Sequence, residues 1–146
     1  MAIAHRFCTF YLDEVWFGLK VESVQEVLAT PAITPVPLAP RAIAGLVNLR
    51  GRIVTTIDLR RHLRFADRPS TPPPTLLIVH YGCGLIGLLV TRMGEVVEAL
   101  ESGLETATLG ELVVEVYTFP GRLLHVLGLD RVVGGGNEAP LEIPLK

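Results

Sequence analysis

The chain repeats itself. A displacement of 69 residues lays Phe17-Gly18-Leu19 on Ile86-Gly87-Leu88, Val21 on Val90, and Val24-Gln25-Glu26-Val27 on Met93-Gly94-Glu95-Val96. A displacement of 70 lays Gly51-Arg52-Ile53-Val54 on Gly121-Arg122-Leu123-Leu124, and Leu59-Arg60-Arg61 on Leu129-Asp130-Arg131. One offset, drifting by a single residue, covers most of both halves. Such a chain folds into two similar units. Units of roughly 65–70 residues bury too little surface to be more than marginal alone, so the two share or abut their cores.

The units read as β structure. Gly (14) and Pro (11) punctuate the 146 residues too often for long helices. Residues 7–12 and 15–21 form a hairpin around Asp13-Glu14. Residues 75–90, sixteen without a formal charge, are too short and too glycine-rich to span a membrane. They read as two buried strands joined at Tyr81-Gly82-Cys83-Gly84. Residues 53–59 are a strand, followed by a short helix over 58–63 capped by Asp58. Val21, Val24, Val27 and Leu28 fall on one helical face, which predicts a helical turn over 21–28. Residues 30–40 hold four prolines and run extended, and 41–45 suit a brief helix ended by Gly45. Residues 66–74 form the linker. The expectation is one domain over 1–146, with halves near 7–65 and 75–133, and a flexible tail over 134–146.

Composition excludes several functions. With 49% hydrophobic and only 19% charged residues, the chain is no disordered segment. Aromatics are 6%, so the core is aliphatic. The net charge of −2 gives no overall pull on nucleic acid. Charge is nonetheless uneven: 41–68 carries seven arginines against two aspartates, and 93–115 carries six glutamates and no base. These are either solvated faces or a device that orients a macromolecular partner. Cys8 and Cys83 have no motif spacing and read as buried small hydrophobes in a reducing compartment. The N-terminus lacks a basic head followed by an apolar stretch, so it does not read as a secretory signal.

No catalytic pattern is present. There is no Gly-x-Gly-x-x-Gly, Walker loop, His-Glu-x-x-His or Gly-x-Ser-x-Gly. His5, His62, His80 and His125 are not at ligand spacing. His80 and His125 sit inside apolar strands, either facing solvent or satisfied in the core. The chain therefore reads as no enzyme, with no cofactor and no metal, and its function lies in surfaces. Arg50, between Leu49 and Gly51 beside a rigid proline segment, is either an interface residue or an internal salt bridge that holds its turn.

Three blocks carry a resemblance: Val24-Gln-Glu-Val27, Ile33-Thr-Pro-Val-Pro37, and Gly45-Leu-Val-Asn-Leu-Arg-Gly-Arg-Ile-Val54 with Ile57-Asp-Leu59. In that order and spacing the chain resembles the CheW family over residues 7–133. Gly87-Leu-Leu-Val90 and Glu95-Val96 extend the match, with Thr91 standing where the family often carries Asp. The resemblance implies an all-β, CheW-like fold of two pseudo-repeated, intertwined five-stranded SH3-like β-barrels with short helices, with strands exchanged between halves. It implies a non-enzymatic cytoplasmic adaptor that couples chemoreceptors to a CheA-type histidine kinase in membrane-associated arrays, without inserting into the membrane. The partners implied are the kinase's regulatory domain and the receptor's cytoplasmic tip. It places receptor contacts at Val24, Glu26, Gly45, Asn48 and Arg50, with Val27 and Met93 lining a groove, and a kinase contact at Gly51 and Arg52. Two other readings stand beside it. One is a scaffold of a twitching-motility or other non-flagellar system. The other is a nucleic-acid-binding barrel using the 41–68 arginines, which lacks stacking aromatics because only Phe65 lies among them.

Overall fold

A computed structural model describes residues 3–29, 32–66, 73–105 and 112–134. The strands are β1 (Ala4–Leu12), β2 (Val15–Lys20), β3 (Val24–Ala29), β4 (Ile43–Leu49), β5 (Arg52–Asp58), β6 (Thr75–Tyr81), β7 (Gly84–Val90), β8 (Arg92–Leu100), β9 (Leu104–Glu105), β10 (Val113–Phe119) and β11 (Arg122–Leu127). Two short helices, α1 (Leu59–His62) and α2 (Leu129–Gly134), follow β5 and β11 at corresponding places in the repeat. The all-β class and the doubled architecture therefore stand as expected.

The strands form two sheets, ordered β8-β1-β2-β11-β10-β9 and β3-β6-β7-β5-β4. The larger sheet exceeds the expected five strands only by β9, two residues paired to β10. Each sheet is rolled. In the larger, edge strand β8 ends at Leu100 and the opposite edge strand β9 begins at Leu104, with one 3-10 turn between them. In the smaller, the segment after β3 returns to the far edge: Thr34 N donates to Leu46 O at 2.9 Å and Leu46 N to Thr34 O at 2.8 Å. This is the SH3-like barrel arrangement, and rolling removes most of the open edge.

Sheet membership crosses the repeat. The β1–β2 hairpin of the first repeat lies in the sheet of β8, β10 and β11, and the β6–β7 hairpin of the second lies with β3, β4 and β5. Two of the four crossings are parallel ladders at equivalent residues, Phe17 with His125 and Gly18 with Val126, Thr55 with Ile86 and Thr56 with Gly87, and the other two, β1 with β8 and β3 with β6, are antiparallel. A Cβ at Gly87 would lie 2.8 Å from Thr56 Oγ1, so that ladder needs the missing side chain.

Three apolar clusters fill the molecule. Phe7, Trp16, Ala99, Tyr117, Leu124 and Val126 fill the larger sheet. Val47, Leu49, Val54, Leu76, Ile78 and Leu89 fill the smaller. The third cluster joins them, with Phe10, Leu12 and Phe17 from one sheet meeting Leu77, Val79 and Leu88 from the other.

Asp58 caps α1 as expected, its Oδ1 accepting from Arg60 N at 3.0 Å. Three local expectations change. Residues 21–28 are a 3-10 turn, Val21–Ser23, followed by strand β3. Burial alternates along β3, with Val24 and Leu28 packed inward and Val27 exposed, and the register shifts between Val24 and Glu26. Residues 41–45 hold a turn and the start of β4, because Ile43 is needed in the core opposite Ile57. Cys83 is exposed at the β6–β7 turn and Cys8 is half-buried. Most of the 66–74 linker, and the 134–146 tail beyond Gly134, lie outside the described residues.

Candidate functional site at the Arg50 turn

Strands β4 and β5 are joined by two residues, Arg50 (φ 49°) and Gly51 (φ 86°). Both angles are positive, as the tight hairpin turn that matches strand twist requires. Gly51 is there for conformation, since a Cβ would meet nothing within 4 Å. Asn48 Oδ1 accepts from Gly51 N at 2.8 Å and closes the turn. Arg50 is thereby held at the tip of a braced hairpin.

Its side chain, 67% exposed, reaches Glu26 on β3, which is 25% exposed. The contact is two-pronged: Arg50 Nη1 donates to Glu26 Oε2 at 3.3 Å, and Nη2 donates to Oε1. Both readings of Arg50 therefore meet in one residue, since it makes an internal salt bridge and still presents an open guanidinium. The hydrogen bond from Arg50 holds the Glu26 carboxyl below the usual range, against a smaller opposing effect of burial. Glu26 in turn raises Arg50.

The sequence-derived residues divide into groups. Glu26, Asn48 and Arg50 come together at the turn. Gly51 belongs to the same turn, and Arg52 is exposed at the start of β5, opposite Leu49. Gly45 is buried at φ +149°, where a Cβ would lie 2.3 Å from Thr34 O. The missing side chain lets the barrel close. Val24 and Met93, equivalent in the repeat, both pack half-buried against the shared core from opposite sheets. Val27 is 45% exposed on β3.

Sequence reasoning missed two supports. Thr91 Oγ1 accepts from Asp13 N at 2.9 Å, holding the β1–β2 turn, so an acceptor at position 91 is retained although its charge is not. Arg60 pairs with Asp13 at 3.0 Å. The repeat carries no signal for that pair, because its counterparts are Asp130 and Gly82.

Three of the seven arginines over 41–68 are paired with carboxylates. Arg50 pairs with Glu26, Arg60 with Asp13, and Arg61 with Asp58 at 3.5 Å. That weakens the nucleic-acid reading. Among the described residues no cluster of His, Cys, Asp and Glu could hold a metal, and no helix is long and apolar enough to cross a membrane.

Residues 6–135 match the family model of the CheW-like domain. The chain belongs to the CheW-like family. It is 25% identical to the chemotaxis protein CheW of Thermotoga maritima over 129 residues, covering 86% of this chain and 85% of that one. It is 26% identical to the CheW of Treponema pallidum over 102 residues, covering 67% of this chain and 60% of the relative's length. The crystal structure of the scaffolding protein TtCheW from Thermoanaerobacter tengcongensis superposes with a TM-score of 0.85 at 25% identity, covering 95% of this chain and 99% of that one. The family is one of scaffold and adaptor proteins, and this CheW-like chain has its fold.

Proposed function

We propose that this CheW-like protein is a non-enzymatic, cytoplasmic adaptor that couples chemoreceptors to a CheA-type histidine kinase within a membrane-associated array. The observation that carries the reading is Arg50, mostly exposed yet held in place by Glu26 and by the Asn48-braced turn. Immobilising an exposed arginine before binding lowers the entropy lost when it docks.

The receptor's cytoplasmic tip, an amphipathic helical hairpin, would lay an apolar face against the valines of β3 and meet Arg50 and Glu26 with its polar edge, a helix-in-groove contact. Met93 borders the same shared core from the other sheet. Gly51 and Arg52, at the end of the hairpin, are assigned to the kinase's regulatory domain. Each contact is modest, and the array supplies strength by multivalency.

The test is co-sedimentation of the protein with receptor cytoplasmic fragments and a CheA-type kinase, with kinase activation as the readout. Arg50→Glu is expected to remain folded and to lose receptor binding. Wild-type pull-down of receptor fragments by that variant removes Arg50 from the interface.

A further inference from the structure

One end of the larger barrel carries a row of arginines and aromatics that the adaptor reading does not use. Arg92 on β8 is opposite Tyr11 on β1, and Tyr11 is opposite Trp16 on β2. Arg122 opens β11, on the far side of β2. The Arg92 guanidinium lies over the Tyr11 ring, with Cζ 3.8 Å from the centroid. Arg122 lies 3.6 Å over the Trp16 ring and donates from Nη1 to the Tyr11 hydroxyl at 2.8 Å. Trp16 is buried and is held edge-on by Phe119, with centroids 5.1 Å apart. A single phenol thus ties two guanidiniums together.

A guanidinium stacked on a ring keeps its N–H donors in its own plane, pointing sideways. Arg122 spends one on Tyr11, and the residue is otherwise exposed. The one carboxylate of the described residues near either arginine is Glu14, 3.9 Å from Arg92 and 94% exposed. That is a loose contact, and it shows which chemistry the row accepts.

Barrel construction does not require the row. The repeat places Ser23, His80, Leu85 and Arg52 at the equivalent positions of the other barrel, and that barrel closes as well. The pairing of aromatics with arginines is therefore particular to one end of the molecule.

We propose that this rim docks an acidic polypeptide segment in extended form, whose carboxylates take the free donors of Arg92 and Arg122 and displace Glu14. Two preset guanidiniums, one over the Tyr11 ring and the other at its hydroxyl, suit two acidic side chains on one face of an extended chain, roughly 7 Å apart at i and i+2. Carboxylates are bound by such forks through paired, charge-assisted hydrogen bonds. The surface is separate from the Arg50 turn and does not depend on the receptor assignment.

Trp16 is the only tryptophan of the chain, and Arg122 stacks on it, so its fluorescence reports on the rim. The full chain is titrated with a capped peptide of alternating glutamate and threonine, and with its glutamine counterpart as control. The expected result is a saturable change in Trp16 emission with the glutamate peptide alone. Affinity should fall about tenfold in Arg122→Gln and in Arg92→Gln, fall with added salt, and rise about two- to threefold in Glu14→Gln. Glu14 is too exposed for its substitution to unfold the protein, so the sign of that effect decides the matter even if an arginine variant misfolds. Arg122→Lys keeps the charge and loses the planar stack, and it should bind weakly. The proposal is overturned by an absent fluorescence change, by undiminished binding in the folded double arginine variant, or by weaker binding in Glu14→Gln. Competition by inorganic phosphate at concentrations equal to the peptide's overturns it too, and would make the rim a small-anion site.

Discussion

Arg60 grips Asp13 with one edge of its guanidinium, Nε lying 3.0 Å from Oδ1 and Nη2 3.3 Å from Oδ2. Asp13 sits in the β1–β2 turn of the larger sheet, and Arg60 sits on α1 behind β5 of the smaller. Both side chains are less than a quarter exposed, so the pair is a sheltered strut between the two barrels. Asp13→Asn keeps a residue that tolerates φ 57° and removes only the charge. It should lower stability by about 2 kcal/mol, read as an earlier urea midpoint with an unchanged slope.

Thr56 is the mirror case, a buried hydroxyl whose Oγ1 has no hydrogen-bond partner. Its counterpart in the repeat is Val126. Thr56→Val keeps the shape and removes the unsatisfied group. It should raise stability by about 1 kcal/mol, measured by thermal or urea unfolding. A loss of stability would mean that the hydroxyl has a partner in solution.

Gly45→Ala should be severe for a different reason. The added Cβ would sit 2.3 Å from Thr34 O and 2.8 Å from Ile33 Cγ2, forcing the closing bridge between Thr34 and Leu46 apart. A loss of at least about 2 kcal/mol is expected, with receptor binding lost only in step with folding. Denaturant titration beside pull-down separates this from a lost contact.

The Arg50–Glu26 pair sets a pH window. Glu26 is held below the ordinary glutamate range. A carboxylate depressed on folding contributes stability that is complete above its unfolded value, about 4.3. That contribution is lost as pH falls through the lower folded value. In Arg50→Gln the Glu26 midpoint, followed by NMR of its carboxyl carbon, should rise toward the ordinary range.

The two cysteines should differ in reactivity. Burial pushes the Cys8 thiol up, so less thiolate is present at neutral pH, while Cys83 stands exposed in its turn. A maleimide reagent should therefore modify Cys83 first, and mass spectrometry of timed samples reads the order.

Much of the fold was legible because the repeat preserves turn residues and core positions together. Gly51 and Gly121 close equivalent hairpins, and Asp58 announces α1. The misread stretch has a definite cause. Val21, Val24, Val27 and Leu28 carry helical spacing, but along β3 Val24 and Leu28 pack inward while Val27 is exposed, and a periodicity argument counts apolar residues without seeing which are buried. The register shift of β3 recurs at β8, where Phe10 pairs with Met93 and Cys8 with Val96. The residues around Arg50 were found through the resemblance, but their division of labour was not. Whether Gly45 touches a partner or makes room for Thr34 depends on a carbonyl eleven positions away, and Arg50 meets a glutamate 24 positions away. Local patterns carry no record of such distant neighbours.

The traded hairpins give the chain a late point of commitment. During synthesis β3, β4 and β5 emerge without the β6–β7 pair that completes their sheet, and β1 and β2 wait longer still for β8 and β11. Until the final strand leaves the ribosome, the larger sheet cannot close. Once it does, pulling one half from the other means unzipping four ladders, two parallel and two antiparallel.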